Sequence, residues 1–191
     1  MSAQELELRD SGWGILDGLP GHPMMWVLIF SEFAVFGLLL GAFAVARAVN
    51  PPVFAAGQGQ LDPSLAGLNT VVLVTSGWAA ARGALAAREN RARACRHWLL
   101  IGIGLGTAFV AIKLVEYGNE ISAGAGMETS MFFTLYFLLT GFHLLHVALG
   151  MVILAVVLRG ADAVAVETGT SFWHMVDLVW VVMFPIIYLV R

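Results

Sequence analysis

Glu32, Lys113, Glu116, His143, His146, His174 and Asp177 sit inside otherwise apolar stretches of this chain. A charged side chain at the centre of a bilayer costs about 2.5–3.5 kcal/mol on insertion scales, so such residues turn toward a packed interior, a partner or a functional site. Their spacing limits the chemistry open to them. Lys113 and Glu116 stand three apart, the spacing of an ion pair on one helix face, although a lysine can also snorkel outward. His174 and Asp177 repeat that spacing, which lets a carboxylate fix an imidazole tautomer. His143 and His146 form an HxxH pair able to touch one metal. With His174 they leave one b-type haem arithmetically open. There is no HExxH motif and no GxSxG elbow around Ser76. Cys95 is the single cysteine, which removes CxxC sites and an intramolecular disulfide. Glu32 has no charged partner on its own helix. The uses that remain are helix adhesion, lipid head-group contact or a proton-related carboxylate. We therefore expect no catalytic residue and no metal site in this chain.

The elements that must position these residues follow from composition. The chain has 191 residues, 59% hydrophobic and 12% charged, with a mean hydropathy of +0.84. Soluble domains carry about 25% charged residues, and disorder requires low hydrophobicity with high charge. A net charge of −3 with a single lysine argues against nucleic acid as a partner. Apolar segments near 24–46, 65–85, 98–117, 131–158 and 172–190 each approach or exceed the ~17–25 residues needed to cross a bilayer. We expect an all-α integral membrane protein, a five-transmembrane-helix bundle occupying 24–191. Residues 1–23 are acidic and lack a signal-peptide pattern, so they are expected to remain at the cytoplasmic interface.

Arginines set the expected orientation. Arg9, Arg82, Arg88, Arg91, Arg93, Arg96 and Arg159 fall on one side, Arg47 and Arg191 on the other. The positive-inside rule then puts the N-terminus in the cytoplasm and the C-terminus outside. Pro51, Pro52, Gly57, Gly59 and Pro63 predict a helix-free first connection. Gly37/Gly41 and Gly102/Gly106 make two GxxxG pairs that permit close helix approach. Asn69, Ser76 and Gly83 share a stripe on the second span. Tyr136, Thr140, His143 and Gly150 share one on the fourth. His174, Asp177, Phe184 and Tyr188 group together on the fifth, where Pro185 predicts a kink by freeing the carbonyl near Val181.

The stretches FSEFAVFGLLLGAFAV, LNTVVLVTSG, KLVEYGNEISAG, FFTLYFLLTGFHLLHVALG and FWHMVDLVWVVMFPIIYL, in this order, resemble subunit III of the haem–copper oxidases. They look closest to its shorter relatives associated with nitric oxide reductase. The resemblance covers roughly residues 22–191, and TGFHxLHV and WHxVDxVW are its specific parts. It implies a non-redox accessory subunit, without a cofactor of its own, in the bacterial cytoplasmic (inner) membrane. The implied partners are a catalytic haem-containing membrane subunit and anionic phospholipid. The implied role is support of stability, lipid binding and turnover in aerobic or denitrifying electron transport. The family's intramembrane glutamate falls on Glu32, and its other characteristic residues fall on Asn69, Glu116, His143, His146, His174 and Asp177. Leu144 stands where oxidase members usually carry glycine, which favours the nitric-oxide-reductase branch. The alternatives are a true subunit III of a cytochrome c or quinol oxidase and, in another class, a b-type haem membrane anchor.

Overall fold

The computed structural model describes residues 23–160 and 162–190. The expected interfacial segment, with Arg9, and the terminal Arg191 lie outside the described residues, apart from Pro23. Five long helices dominate: α1 (Pro23–Val49), α3 (Pro63–Arg88), α4 (Ala92–Ser122), α5 (Met131–Gly160) and α6 (Ala163–Phe184), with a short α2 (Pro51–Gln58) after α1. All five long helices, α6 taken with the turn that follows it, have the length and apolarity to cross a membrane.

The helices outrun their apolar segments because polar ends continue them. α4 starts among arginines at Ala92 and ends only at Ser122. Its stop is set by Gly124 at φ +86. The Ala125 N–H reaches the Glu120 carbonyl at 2.9 Å and the Gly124 N–H reaches Ile121 at 3.0 Å. This is a Schellman closure, in which a left-handed residue lets orphan carbonyls be capped. Asn90, at φ 56, does the same after α3, with Arg91 N–H on the Ala86 carbonyl at 2.8 Å. Asp62 caps the start of α3 through the Ser64 and Leu65 N–H groups at 2.9 and 3.2 Å. Asp162 caps α6 through Ala165 N–H at 3.1 Å, so the connection expected over 159–171 shrinks to residues 161–162.

Two expectations need correction. The first connection is not helix-free: Pro51 and Pro52 open α2, because the first helical turn needs no N–H from them. Phe54 of α2 then packs edge-on against Phe43 and Phe132, with centroids 5.1 and 5.6 Å away. Pro185 does not kink a continuing α-helix. It ends α6, and Pro185–Leu189 form one π-helical turn. Gln58 of α2 covers the exposed carbonyls there, donating to Ile187 O at 2.8 Å and Val190 O at 3.0 Å. In an apolar surrounding such backbone groups must find a protein partner.

α3, α4, α5 and α6 form a closed ring in which each packs on the next and α6 returns to α3. α1 lies outside it, against α5 and α6. One end of the bundle gathers the arginines. There Arg88 pairs with Glu167 at 2.5 Å and Arg96 donates to the Arg159 carbonyl at 3.3 Å. The opposite end carries the α2–α3 and α4–α5 connections.

Candidate functional site

Small residues on α3, α4 and α5 let α6 sink into the ring. Gly106 and Gly150 both stand against the six-membered ring of the Trp173 indole, at Cη2 and at Cε3 respectively. A Cβ at either would come within 2.8 or 2.7 Å of that ring, so both positions must stay glycine for the tryptophan to seat. Gly102 of the same GxxxG pair faces α3, where Ser76 Oγ donates to the Gly102 carbonyl at 2.7 Å. Asn69 Nδ2 donates to the Phe109 carbonyl at 3.2 Å, and Trp180 Nε1 donates to Thr70 at 2.9 Å. Gly37 and Gly41 have nothing within 4 Å. That pair faces outward.

Within this frame the polar residues fall into three groups. The first is the most buried. Lys113 is 1% exposed, so it does not snorkel. Its ammonium donates to Tyr136 Oη at 2.9 Å and Tyr188 Oη at 2.6 Å and stands 3.1 Å from Glu116 Oε1. Tyr188 Oη donates to Glu116 at 2.6 Å. Tyr136 Oη lies 2.9 Å from both Glu116 and Glu120. The aromatic faces of Tyr117 and Trp180 complete the cage around the ammonium, 5.1 and 5.4 Å away. A buried charge pair with excellent geometry and further hydrogen bonds is the kind that survives desolvation.

The second group is an interhelical pair. His146 Nδ1 stands 2.8 Å from the Phe142 carbonyl, which can only accept, so Nδ1 carries a hydrogen. Nε2 is 3.0 Å from Glu32 Oε2. One hydrogen lies between them, held by the acid or by the ring. Glu32 is therefore not the lone acid its own helix suggests. Its partner comes from α5, and Phe36 packs on the imidazole at 5.2 Å.

The third group is His174 and Asp177, with Nδ1 and Oδ2 3.6 Å apart. Here the structure corrects the expectation of a buried imidazole. The His174 side chain is 45% exposed, while Asp177 is 11% exposed. The carboxylate sits against Gly77, whose missing side chain makes its room: a Cβ there would land on Asp177 Oδ2.

His143 belongs to none of these groups. It is 1% exposed, stacked on Trp180 at 5.2 Å and edged by Phe109 at 5.9 Å. Neither ring nitrogen has a protein partner. The three span histidines thus face three different surroundings. Among the described residues, no three His, Cys, Asp or Glu side chains gather as metal ligands would.

Reasoning from sequence missed Glu120, which lies beyond the expected end of the third span. Its signal was available: it stands one turn after Glu116. Tyr136 and Tyr188 were visible as members of stripes but not as partners of Lys113, because that pairing needs the relative rotation of three helices.

Five helices able to cross a bilayer, in a closed ring with an outlying first helix and internal polar clamps, define a multi-pass helical membrane protein. Comparison with known proteins narrows the class. The family profile of cytochrome c oxidase subunit III matches residues 21–190. The chain is 33% identical to a cytochrome c oxidase subunit 3 of Synechocystis sp., over 92% of this chain and 80% of that one. It is 29% identical to a cytochrome c oxidase subunit 3 of Thermostichus vulcanus, over 89% and 88%. A probable cytochrome c oxidase subunit 3 of Nocardia farcinica is 31% identical, over 86% and 85%. The chain belongs to the cytochrome c oxidase subunit III family. Its actinobacterial relatives support the bacterial cytoplasmic membrane as its location.

Proposed function

We propose that this chain is the non-redox third subunit of a cytochrome c oxidase. In this reading it docks on a catalytic haem-bearing membrane subunit, leaves the electron chemistry to it, and sustains its stability and turnover. The observation that carries the reading is the family match across 21–190, together with the oxidase subunit names of the relatives. These names favour an oxidase over the nitric-oxide-reductase branch suggested by Leu144. The arginine-rich end, with Arg88, Arg91, Arg93, Arg96 and Arg159, faces the cytoplasm by the positive-inside rule. The N-terminus is then cytoplasmic and the C-terminus outside.

Two features support a docked, lipid-contacting subunit. α1 presents Val27, Phe30, Leu38, Val45 and Val49 outward, an apolar face suited to acyl chains or a partner helix. His174 is half exposed between the apolar side chains of Ile29, Trp78 and Leu178 and the polar Glu167 and Ser171, a surface a lipid or protein neighbour can cover. Anionic phospholipid is the lipid class that the family resemblance implies.

Deleting the chain in its host tests this. We expect the haem-bearing complex to assemble and start oxygen consumption at a near-normal rate. Sustained turnover should then decline faster than in the parent. Unchanged sustained oxygen consumption contradicts the proposal. Loss confined to nitric oxide reduction returns the chain to the other branch.

A further inference from the structure

The Lys113 group has a hydrogen-counting problem that a proton on one of its two glutamates resolves, and the partners of Glu116 decide which. Tyr136 Oη is 2.9 Å from Glu116 Oε1 and 2.9 Å from Glu120 Oε1. A phenol has one hydrogen to donate. It also accepts from the Lys113 ammonium at 2.9 Å. With both glutamates ionised, one short oxygen–oxygen contact holds no hydrogen of its own, and the cluster carries a net −1 charge at buried positions. Glu116 has its countercharge and the Tyr188 hydroxyl at 2.6 Å. Glu120 has neither.

We infer that Glu120 is a proton-binding site, carrying the proton it donates to Tyr136 Oη. Tyr136 then donates to Glu116 and accepts from Lys113 and Glu120, so each contact of 2.9 Å holds a hydrogen, and the 3.3 Å approach of Tyr188 Oη, whose hydrogen goes to Glu116, is the one left without. The cluster sums to zero charge: Lys113 positive, Glu116 negative, Glu120 neutral. The titratable groups facing Glu120 are Lys113, Glu116 and Tyr117 of α4, Tyr136 of α5 and Tyr188 of the π-helical turn. Asp62 shares the adjoining cavity, but its carboxylate is engaged in capping α3.

That cavity gives the proton an exchange route. It measures about 130 Å³ and is lined by Gln60, Asp62, Glu116, Asn119, Glu120 and Ala125 among others. One water needs about 10–15 Å³ on this measure, so several fit. Glu116 Oε2 and Glu120 Oε2 are buried without a protein partner, on residues 3% and 7% exposed that line the cavity wall. Water there accepts the proton as hydronium when Glu120 releases it and returns it on rebinding. The site lies at the bundle end opposite the arginines, away from Glu32.

The experiment uses the purified full chain in detergent. In the infrared, wild type minus Glu120→Gln should show a protonated-carboxyl C=O band that shifts in D2O. The glutamine amide still donates to Tyr136 Oη, so E120Q should melt at the wild-type temperature at neutral pH. Raising the pH strips Glu120 and sets two carboxylates against one hydroxyl hydrogen. The wild-type melting temperature should therefore fall with pH through a step that E120Q lacks. A difference spectrum without the carboxyl band overturns the inference. So does an E120Q chain that misfolds or melts well below wild type at neutral pH.

Discussion

The ring of α3–α6 and the outlying α1 carry the same kinds of residue and use them differently. Each has a GxxxG pair and an intramembrane acid. In the ring, Gly106 and Gly150 admit Trp173, and Glu116 is locked by a lysine and two tyrosines. On α1, Gly37 and Gly41 meet nothing within 4 Å, and Glu32 has one imidazole partner. Half of the most apolar stretch of α6 is buried, against 17% of that of α1. A glycine pair in a membrane helix is thus permission for close packing, and a neighbour with a large side chain at the matching height decides whether it is taken up. The ring packs on its own small residues, whereas the first helix buries Ile29, Phe36 and Phe43 and leaves its glycine pair uncovered.

Substitutions can break that contrast. The largest effects belong to the ring. Trp173→Ala should cost about 3–5 kcal/mol, since the indole is fully buried and packs directly on two glycines. Thermal unfolding in detergent measures it. Lys113→Met should cost a similar amount, about 3–5 kcal/mol, because Glu116 is left buried without its countercharge. Adding Glu116→Gln should recover most of that loss, and a double-mutant cycle reads the coupling. Effects on α1 should be smaller. Glu32→Gln keeps an N–H donor toward His146 Nε2, so its cost should stay within about 1 kcal/mol. Gly37→Ala with Gly41→Ala should change the isolated chain by no more than about 0.5 kcal/mol. A large loss in the last variant would show that α1 is already packed there.

Hydropathy made the five spans legible, since hydrocarbon selects long apolar runs whatever their partners. It could not reveal where helices end, because Ala92–His97 and Gly118–Ser122 continue α4 through polar surroundings until a Schellman turn stops it. α2 was hidden because prolines break helices in their interior yet start them at their first turn. Of the intramembrane residues, spacing on one helix suggested Lys113 with Glu116 and His174 with Asp177, and these do approach at 3.1 and 3.6 Å. Pairing across helices was out of reach. Glu32 meets His146, 114 positions away, and Tyr188 meets Glu116, 72 positions away. Exposure was equally illegible: only the packed ring shows that His174 turns outward while Asp177 tucks against Gly77.

As the proposed third subunit, the chain would hold no electron-transfer centre and would travel with a subunit that does. Affinity purification of the tagged chain from native membranes, followed by absorption spectroscopy before and after the subunits are separated, tests it most directly. Haem absorption is expected in the intact assembly, all of it leaving with the partner and none remaining with this chain. Haem that stays with the separated chain, or a chain that purifies from gently solubilised membranes with no haem-bearing companion, would contradict it.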